Sequence, residues 1–401
     1  MVNTDGCSIE LQVRYRLMSN DKTEPAELVW HAGDIAYRVV WHSEAGVPPP
    51  RRVVVADDTL TADTAYRFAC EGTAMLWRGD FQNARQLLQA MARRADKRIR
   101  AGGKSSADYP EAFHRKRMAQ AQRARVLGML LIPFEAGHVI PLRRAPDVRE
   151  ACEAVHGLAD VPYVTSLREL LGLIGAHEWR RRGVDIPALG ARIHPHYGVF
   201  SPVRGEYVAL VADAPLPKAI ADNNLAFDIG TGTGVLAAVL AKRGIKHVLA
   251  TDQDARALAC ARENVERLGL GRQIEVLQDD LFPIGQAPLI VCNPPWVPGK
   301  PSSALEYAVY DPESRMLRGF LGGLSAHLVP GGEGWLILSD LAEHLKLRSR
   351  ETLLAWVDQA GLRVLGRLDA RPTHAKATDS DDPLHAARAA EVTSLWRLGR
   401  A

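Results

Sequence analysis

The chain has 401 residues, of which 47% are hydrophobic and 24% are charged, and its formal net charge is +3 at pH 7. These values are ordinary for a globular protein and exclude a disordered or collagen-like chain. No uncharged apolar run is long enough to span a bilayer, and Met1–Asp5 lacks a basic-then-apolar signal, so a cytoplasmic protein without membrane contact is expected. At this length we expect two domains, over residues 1–185 and 186–401.

Residues 1–185 predict a mainly helical domain with a few short strands. Strand-like segments lie at 28–41 and 51–55. Helical spacing then dominates, over 62–95, 110–131, 148–156 and 166–182. Substrate recognition is our hypothesis for this domain.

A basic segment at 91–125 contains eleven Lys or Arg residues against Asp96, Asp108 and Glu111, a local net charge of +8. Such a run is typical of solvated helix faces. It also suits contact with the phosphates of RNA or with a ribosomal target. Both interpretations stay open on the sequence.

The cysteine and histidine patterns predict no metal site. Cys7, Cys70, Cys152, Cys260 and Cys292 are scattered without C-x-x-C spacing, which favours a reducing compartment. Two histidine pairs, His194 with His196 and His374 with His385, lack ligand spacing on a defined element.

The clearest loop of the second domain follows the apolar strand 225–230. The residues Thr231, Gly232, Thr233 and Gly234 lead from this strand into a helix at 235–243. Alternate glycines allow a tight turn and close approach to a ligand. Gly232, Gly234 and Ala237, with Asp252 twenty residues beyond Gly232, also satisfy the loose dinucleotide fingerprint. These residues alone do not distinguish a nicotinamide cofactor from S-adenosylmethionine.

Three polar strand ends favour S-adenosylmethionine. Asp228 precedes the glycines, where an acid suits a cationic amino-acid group, and Asp280 closes a strand at 274–280, where it suits an adenine amino group. Asn293 closes the next strand. A nicotinamide enzyme gives no reason for this ordered set.

The tetrapeptide Asn293-Pro294-Pro295-Trp296 follows the apolar strand 289–292. Parallel strands deliver their last residues to the carboxyl edge of the sheet, where open α/β folds bind ligands. Asn293 offers a side-chain carbonyl, Pro294 a backbone carbonyl and Trp296 a flat ring. Two acceptors beside an aromatic face suit a planar –NH2 group on a conjugated system. The motif therefore predicts transfer to a poorly nucleophilic nitrogen.

With these motifs the chain resembles the class I S-adenosylmethionine-dependent methyltransferases that carry (D/N/S)-P-P-(Y/F/W). That group includes adenine-N6 nucleic-acid methyltransferases and the glutamine-N5 methyltransferases of peptide-chain release factors. The resemblance implies that the cofactor is S-adenosylmethionine. It implies that Asp252 binds the ribose hydroxyls and that Asp280 and Leu281 contact the adenine. It implies a catalytic loop of Asn293, Pro294, Pro295 and Trp296. The remaining implied cofactor residues are Asn293 and, at the methionine and ribose end, Asp228, Gly230, Thr231, Gly232, Thr233 and Gly234.

The match extends over about residues 190–400. The segment 199–206 is similar to the Pro-Arg-rich segment before the first strand of the glutamine enzymes, with spacing that differs by one residue. Pro288 stands where that family has an acid.

The remaining elements predict an α/β fold with a seven-stranded, Rossmann-like and mostly parallel sheet. Helices are expected at 254–268, 311–329 and 348–360. Strands are expected at 334–338, 362–368 and 392–398, the last two as an antiparallel edge pair. The stretch 373–390 is interpreted as a surface loop.

The predicted function is N-methylation of a planar amino or amide nitrogen in a macromolecule, with a protein glutamine of the release-factor type favoured. An adenine-N6 or guanine-N2 position in RNA is the alternative, supported by the basic segment 91–125. A non-catalytic cofactor-binding scaffold for RNA or the ribosome is a third possibility, although a scaffold has no need of Asn293. The last alternative function is that of a nicotinamide-dependent oxidoreductase.

Overall fold

The computed structural model describes residues 26–32, 34–102, 109–203, 205–301, 306, 308–372 and 384–401. Two sheets organise these residues, one in each half of the chain.

A mixed six-stranded sheet forms the first domain, in the order β1-β2-β6-β5-β4-β3. Its strands are β1 (Glu27–Ala32), β2 (Ile35–Trp41), β3 (Arg52–Ala56), β4 (Thr73–Trp77), β5 (Leu130–Phe134) and β6 (Tyr163–Ser166). Its helices are α1 (Ala62–Cys70), α2 (Phe81–Gly102), α3 (Tyr109–Leu127), α4 (Arg149–His156) and α5 (Leu167–Arg182).

The first domain contains strands that the sequence did not predict. The predicted helix 62–95 is interrupted by β4, and the predicted helix 110–131 ends at Leu127 before β5. Both strands are continuous apolar runs, buried at every position. Periodicity cannot distinguish such a short buried run from a helix segment, which explains the error. The helices at 148–156 and 166–182 are confirmed within one residue.

A hairpin of β7 (Val184–Ile186) and β8 (Ala191–Ile193) connects the two halves. Val184, Ile186 and Ile193 pack into the core of the second domain. The predicted boundary at residue 185 therefore falls inside β7, and this hairpin belongs structurally to the second domain.

The second sheet has seven strands in the order β11-β10-β9-β12-β13-β15-β14. They are β9 (Leu225–Ile229), β10 (His247–Asp252), β11 (Ile274–Gln278), β12 (Ala287–Cys292), β13 (Leu328–Ser339), β14 (Leu362–Ala370) and β15 (Thr393–Arg400). The first five in this order are parallel, and β15 and β14 pair antiparallel at the edge. The predicted seven-stranded α/β sheet with an antiparallel edge pair is confirmed.

Helices cover both faces of this sheet: α6 (Glu206–Asp213), α7 (Val235–Lys242), α8 (Ala255–Arg267), α9 (Arg315–His327), α10 (Leu341–His344), α11 (Arg350–Gln359) and α12 (His385–Ala390). Side chains of β9 alternate between two cores, with Ala226 in one and Phe227 in the other. All six residues of β12 are buried, as expected for a central parallel strand. Among the described residues, no helix is both long enough and apolar enough to cross a membrane.

The predicted surface loop 373–390 is corrected in part. Residues 373–383 lie outside the described residues, whereas α12 is a helix and Leu384 and Ala387 are buried.

Candidate active site

The ends of three neighbouring strands meet at one edge of the second sheet. β10, β9 and β12 are adjacent and parallel, so Asp252, Gly230 and Asn293 arrive at the same edge. A cavity of about 820 Å³ opens there. Its walls include the expected residues Gly230, Thr231, Gly232, Thr233, Asp252, Asp280, Leu281, Asn293, Pro294, Pro295 and Trp296. Asp228 and Gly234 are not among the lining residues.

The glycine loop between β9 and α7 exposes backbone to the cavity. Gly230 has φ +70° and Gly232 has φ +56°, in the left-handed region that L side chains rarely adopt. A Cβ at Gly232 would meet no atom within 4 Å, since the position faces open space. A Cβ at Gly230 would lie 2.4 Å from Met316 Cε. The loop therefore leaves room for a ligand to approach the Gly232 backbone.

Asp252, the last residue of β10, holds this loop and also lines the cavity. Its Oδ2 accepts a hydrogen bond from the Gly232 N–H at 3.0 Å, and its Oδ1 accepts one from the Asp254 N–H at 3.0 Å. Burial raises the pKa of Asp252, while these backbone donors oppose that shift. The carboxylate is thus positioned by the backbone at the cavity wall, where it can accept from ligand hydroxyl groups.

Asp228 lies behind the glycine loop and is 1% exposed. Its Oδ2 accepts from the Thr231 hydroxyl at 2.6 Å and from the Ala237 N–H at 3.0 Å. Burial raises the pKa of Asp228 from 3.8 to about 6, against the lowering effect of these two donors. The structure therefore places Asp228 as an internal support of the loop rather than as a cavity-lining acid.

Replacement of Asp228 by asparagine should remove the contribution of this carboxyl group to the pH dependence of the free energy of unfolding. With a pKa of about 6 when folded and 3.8 as the unperturbed value, the folded state holds more of this proton between those values. The contribution of Asp228 to the free energy of unfolding therefore decreases as pH rises from about 4 to about 6. An asparagine side chain does not titrate, so the stability difference, Asp228→Asn minus wild type, should rise by roughly 2–3 kcal/mol across this window.

Urea unfolding of both proteins at intervals between about pH 4 and pH 8 measures this difference. Stability curves that stay parallel across the window would show that Asp228 has no raised pKa.

Asp280 and Leu281 form another wall of the cavity after β11. The Asp280 carboxylate pairs with Arg315 at 2.9 Å and keeps 58% of its side chain exposed. Leu281 has φ +81°, and its carbonyl accepts from the Thr251 hydroxyl at 2.6 Å. That hydrogen bond ties the corner to β10 and fixes its position beside Asp252.

The Asn293–Trp296 motif carries an internal hydrogen bond that the sequence analysis missed. The Trp296 indole N–H donates to Asn293 Oδ1 at 2.8 Å. Because an indole N–H can only donate, the bond fixes which side-chain atom of Asn293 is the oxygen. An amide oxygen has two lone pairs, so Asn293 can accept from a second donor as well.

The chain after this motif folds back against it. The Val297 N–H donates to the Val309 carbonyl at 3.3 Å, and the Asp311 N–H donates to the Val297 carbonyl at 3.0 Å. The buried Arg348 places Nη2 3.4 Å from the Trp296 carbonyl. The motif is therefore held from two sides.

Cys292 is a fully buried strand residue. Its relative exposure is 0%, and burial raises the pKa of its thiol well above the usual value. A thiol in this environment is a poor nucleophile at neutral pH, in agreement with a packing role.

Several apolar cavity residues come from distant parts of the chain, and the sequence analysis did not identify them. They are Phe113, Tyr207, Tyr310, Leu341, Leu345 and Leu384. The segment 199–206 was singled out by its resemblance, and Val199 and Phe200 do line the cavity, while Arg204 lies outside the described residues. No local sequence signal marks Phe113.

His42, Glu44 and His156 are the one group of possible metal ligands among the described residues, with ligand atoms within 4.8 Å of one another. Glu44 Oε1 lies 2.9 Å from His156 Nδ1, and Arg256 of α8 donates to Glu44 Oε2. The contact between Arg256 and Glu44 joins the first domain to α8 of the second.

The histidine pairs of the sequence analysis make other contacts. His194 Nδ1 contacts the Arg180 carbonyl at 2.6 Å, and His196 Nε2 contacts Glu263 at 2.6 Å. His374 lies outside the described residues.

Comparison with known proteins finds similarity in the second half of the chain. Residues 190–350 match the model of the methyltransferase small domain. A release factor glutamine methyltransferase of Cereibacter sphaeroides is 36% identical over 119 residues, covering 26% of this chain and 43% of the relative. A ribosomal protein L11 methyltransferase of Clostridium perfringens is 41% identical over 80 residues, covering 20% of this chain and 25% of the relative.

Among solved structures, a ribosomal protein L11 methylase of Lactobacillus delbrueckii subsp. bulgaricus superposes with a TM-score of 0.33 and 19% identity. It covers 49% of this chain and 78% of its own. The chain spans less than half the length of both curated relatives named above.

Proposed function

We propose that this chain, whose residues 190–350 match the methyltransferase small domain, is a class I S-adenosylmethionine-dependent methyltransferase that methylates a planar nitrogen of a macromolecule. The observation that carries the proposal is the Asn293-Pro294 pair at the end of β12. Both residues line the same cavity as the glycine loop and Asp252, and each has a carbonyl group that can accept a hydrogen bond.

The donor set of the cavity fits S-adenosylmethionine. Gly232 leaves its backbone open to the cavity, and Asp252 offers a carboxylate for ribose hydroxyl groups. Asp280 and Leu281 form a separate wall, at which an adenine amino group can be accepted. When bound, the cofactor supplies an electrophilic methyl group on a sulfonium.

Asn293 and Pro294 orient the acceptor nitrogen. An amide or exocyclic amine delocalises its lone pair, which makes it a weak nucleophile. Accepting both of its hydrogens at Asn293 Oδ1 and the Pro294 carbonyl favours a more tetrahedral nitrogen with its lone pair aimed at the methyl group. Positioning and fixed acceptors then provide most of the rate acceleration.

The proton balance requires no strong general base before attack. The N–CH3 bond would form as the bond between the methyl group and the sulfonium sulfur breaks, which would leave a neutral thioether. The nitrogen would become cationic and acidic, and one N–H proton would pass to water. The Trp296 indole N–H holds Asn293 Oδ1 in place throughout, since it occupies only one of the two lone pairs.

A protein glutamine is the favoured acceptor. The asparagine at position 293 and the 199–206 segment together resemble the glutamine enzymes, and a curated relative is named a release factor glutamine methyltransferase. An RNA base is the second candidate, because the basic helices α2 and α3 lie in the domain that we assign to recognition.

Transfer of radiolabelled methyl from S-adenosylmethionine into an extract of cells lacking this protein tests the proposal. Label removed by protease alone supports a protein acceptor, and mass spectrometry of the labelled protein should then locate a methylated glutamine. Label removed by RNase alone would overturn the glutamine assignment in favour of RNA. An absence of label with retained cofactor binding would contradict the proposed reaction.

Some of the basic residues in the segment 91–125 form ion pairs within the first domain. Arg94 pairs with Asp63 at 2.7 Å, and Arg123 pairs with Asp96 at 2.6 Å. Among the described side chains, the exposed basic residues of α2 that fall within the basic segment are Arg93, Lys97 and Arg98. We call these three residues the α2 basic face.

Neutralising the α2 basic face is expected to weaken the capture of a macromolecular substrate. In the triple variant Arg93→Gln, Lys97→Gln, Arg98→Gln, the extract concentration that gives half-maximal methyl transfer should rise about tenfold. Calorimetric affinity for S-adenosylmethionine should not change. The matched control is Arg94→Gln, in which the lost charge is already paired with Asp63. Equal kinetics for triple variant, control and wild type would assign the face to solvation alone.

A further inference from the structure

We propose that the N-terminal domain completes the acceptor pocket itself, and that Phe113 of α3 contacts the substrate group next to the methylated nitrogen. This inference rests on the proposed function and deepens it. It makes the first domain a determinant of specificity inside the cavity, in addition to any contact at the surface.

The ring of Phe113 reaches the same cavity as the Asn293–Trp296 motif. Phe113 is 6% exposed, lines the cavity, and belongs to a cluster with Val297, Leu341 and Leu345 of the second domain. Trp296 and Tyr310 pack against the same cluster. These side chains, from both halves of the chain, form an apolar chamber beside the two carbonyl acceptors.

Directed hydrogen bonds join the two domains close to Phe113. Arg117, one turn along α3, forms a two-pronged ion pair with Glu306, with nitrogen–oxygen distances of 2.8 and 3.0 Å. Its Nη2 also donates to the Lys300 carbonyl at 2.7 Å. The Arg117 side chain is only 16% exposed. A partly buried bidentate pair fixes orientation as well as distance.

Aromatic contacts extend that anchor to the cavity wall. The Arg117 guanidinium lies 4.0 Å from the centroid of the Tyr310 ring, and the Phe113 ring centroid lies 6.2 Å from that of Tyr310. Gly299 permits this approach, because a Cβ there would lie 3.1 Å from Tyr310. Phe113 is therefore held in a fixed position over the chamber.

The chemistry of the chamber defines the acceptor class. Phe113, Trp296, Val297, Tyr310, Leu341, Leu345 and Leu384 give it an apolar and aromatic wall. Such a wall suits an uncharged acceptor whose planar nitrogen group is carried on an apolar stem. A glutamine side chain has this form, with two methylene groups behind its amide. The two carbonyls of the motif hold the amide, and Phe113 packs against the stem.

The test compares Phe113→Ala and Phe113→Leu with the wild-type full chain. The probe is the protein fraction of an extract from cells lacking this protein, with radiolabelled methyl transfer as the readout. Phe113→Ala should raise the half-saturating concentration of this fraction about tenfold, as truncation of a buried aromatic contact does. Phe113→Leu should show a smaller increase, and S-adenosylmethionine affinity should stay within about twofold of wild type.

Met118→Ala is the matched control, because Met118 lies on the same helix and is 71% exposed. Thermal unfolding establishes that each variant is folded. Wild-type transfer by both folded Phe113 variants would overturn the inference, as would a loss of cofactor affinity equal to the loss of transfer.

The inference and the proposed function fail in different ways. Wild-type protein that labels the RNA fraction instead would exclude the glutamine acceptor. The same Phe113 comparison, made with that RNA fraction, would still decide whether the first domain contributes to the acceptor pocket.

Discussion

Replacement of Asn293 by alanine is expected to lower kcat about 100- to 1000-fold, the range found when one fixed hydrogen-bonding group is removed from a transition state. The alanine keeps the fold of the β12 end but removes the acceptor that orients the nitrogen. The half-saturating concentration of substrate should change much less than kcat, since the contact strengthens as the nitrogen becomes tetrahedral. Initial rates of methyl transfer at saturating substrate measure the effect.

Trp296→Phe is the matched comparison for this variant. Phenylalanine keeps an aromatic face but removes the indole N–H that donates to Asn293 Oδ1. We expect a decrease in kcat of about tenfold, the equivalent of one hydrogen bond. Both variants should bind S-adenosylmethionine normally by calorimetry. Turnover by Asn293→Ala near the wild-type rate would place the chemistry elsewhere in the cavity.

The second sheet was predictable because its strands carry strong local signals. β9 and β12 are apolar strands that are followed directly by Gly230 and Asn293, and β10 ends at Asp252. In a parallel sheet those ends must share an edge, so sequence order alone brings them together. The segments 362–368 and 392–398 were also predicted from the sequence as an antiparallel pair, and they form β14 and β15.

The first sheet was not predictable in the same way. Thr73–Trp77 and Leu130–Phe134 are five-residue apolar runs beside long helices. Their pairing across the sheet is a long-range contact with no local sequence marker. The same limit applies to Phe113, since its position in the cavity depends on the Arg117–Glu306 pair, which joins residues 189 positions apart.

Asp228 and Asp252 illustrate a finer limit. Both are acids near the end of a parallel strand beside the glycine loop. Asp228 is in register with Ala250, so Asp252 lies two residues nearer the carboxyl edge of the sheet. Asp228 points toward α7, where it accepts from the Ala237 N–H, while Asp252 ends its strand at the cavity. No local pattern in the sequence predicts which of the two acids lines the cavity.

Asp252→Ala is therefore expected to weaken S-adenosylmethionine binding about 100-fold or more, whereas Asp228→Asn should change it far less. Each charged hydrogen bond is worth roughly 1.5–3 kcal/mol, and Asp252 would lose its bonds to the ribose hydroxyls. The variant also releases the Gly232 N–H, now held at 3.0 Å, so the loop itself loses order. Calorimetric titration with S-adenosylmethionine measures both dissociation constants.

The control for this comparison is Asp358→Ala, which removes an exposed carboxylate of α11 that does not line the cavity. Its cofactor affinity should equal that of the wild type. A larger loss for Asp228→Asn than for Asp252→Ala would reverse our assignment of the two acids. In that case Asp228, and not Asp252, would contact the cofactor directly. The buried side chain of Asp228 would then have to become accessible when the cofactor binds.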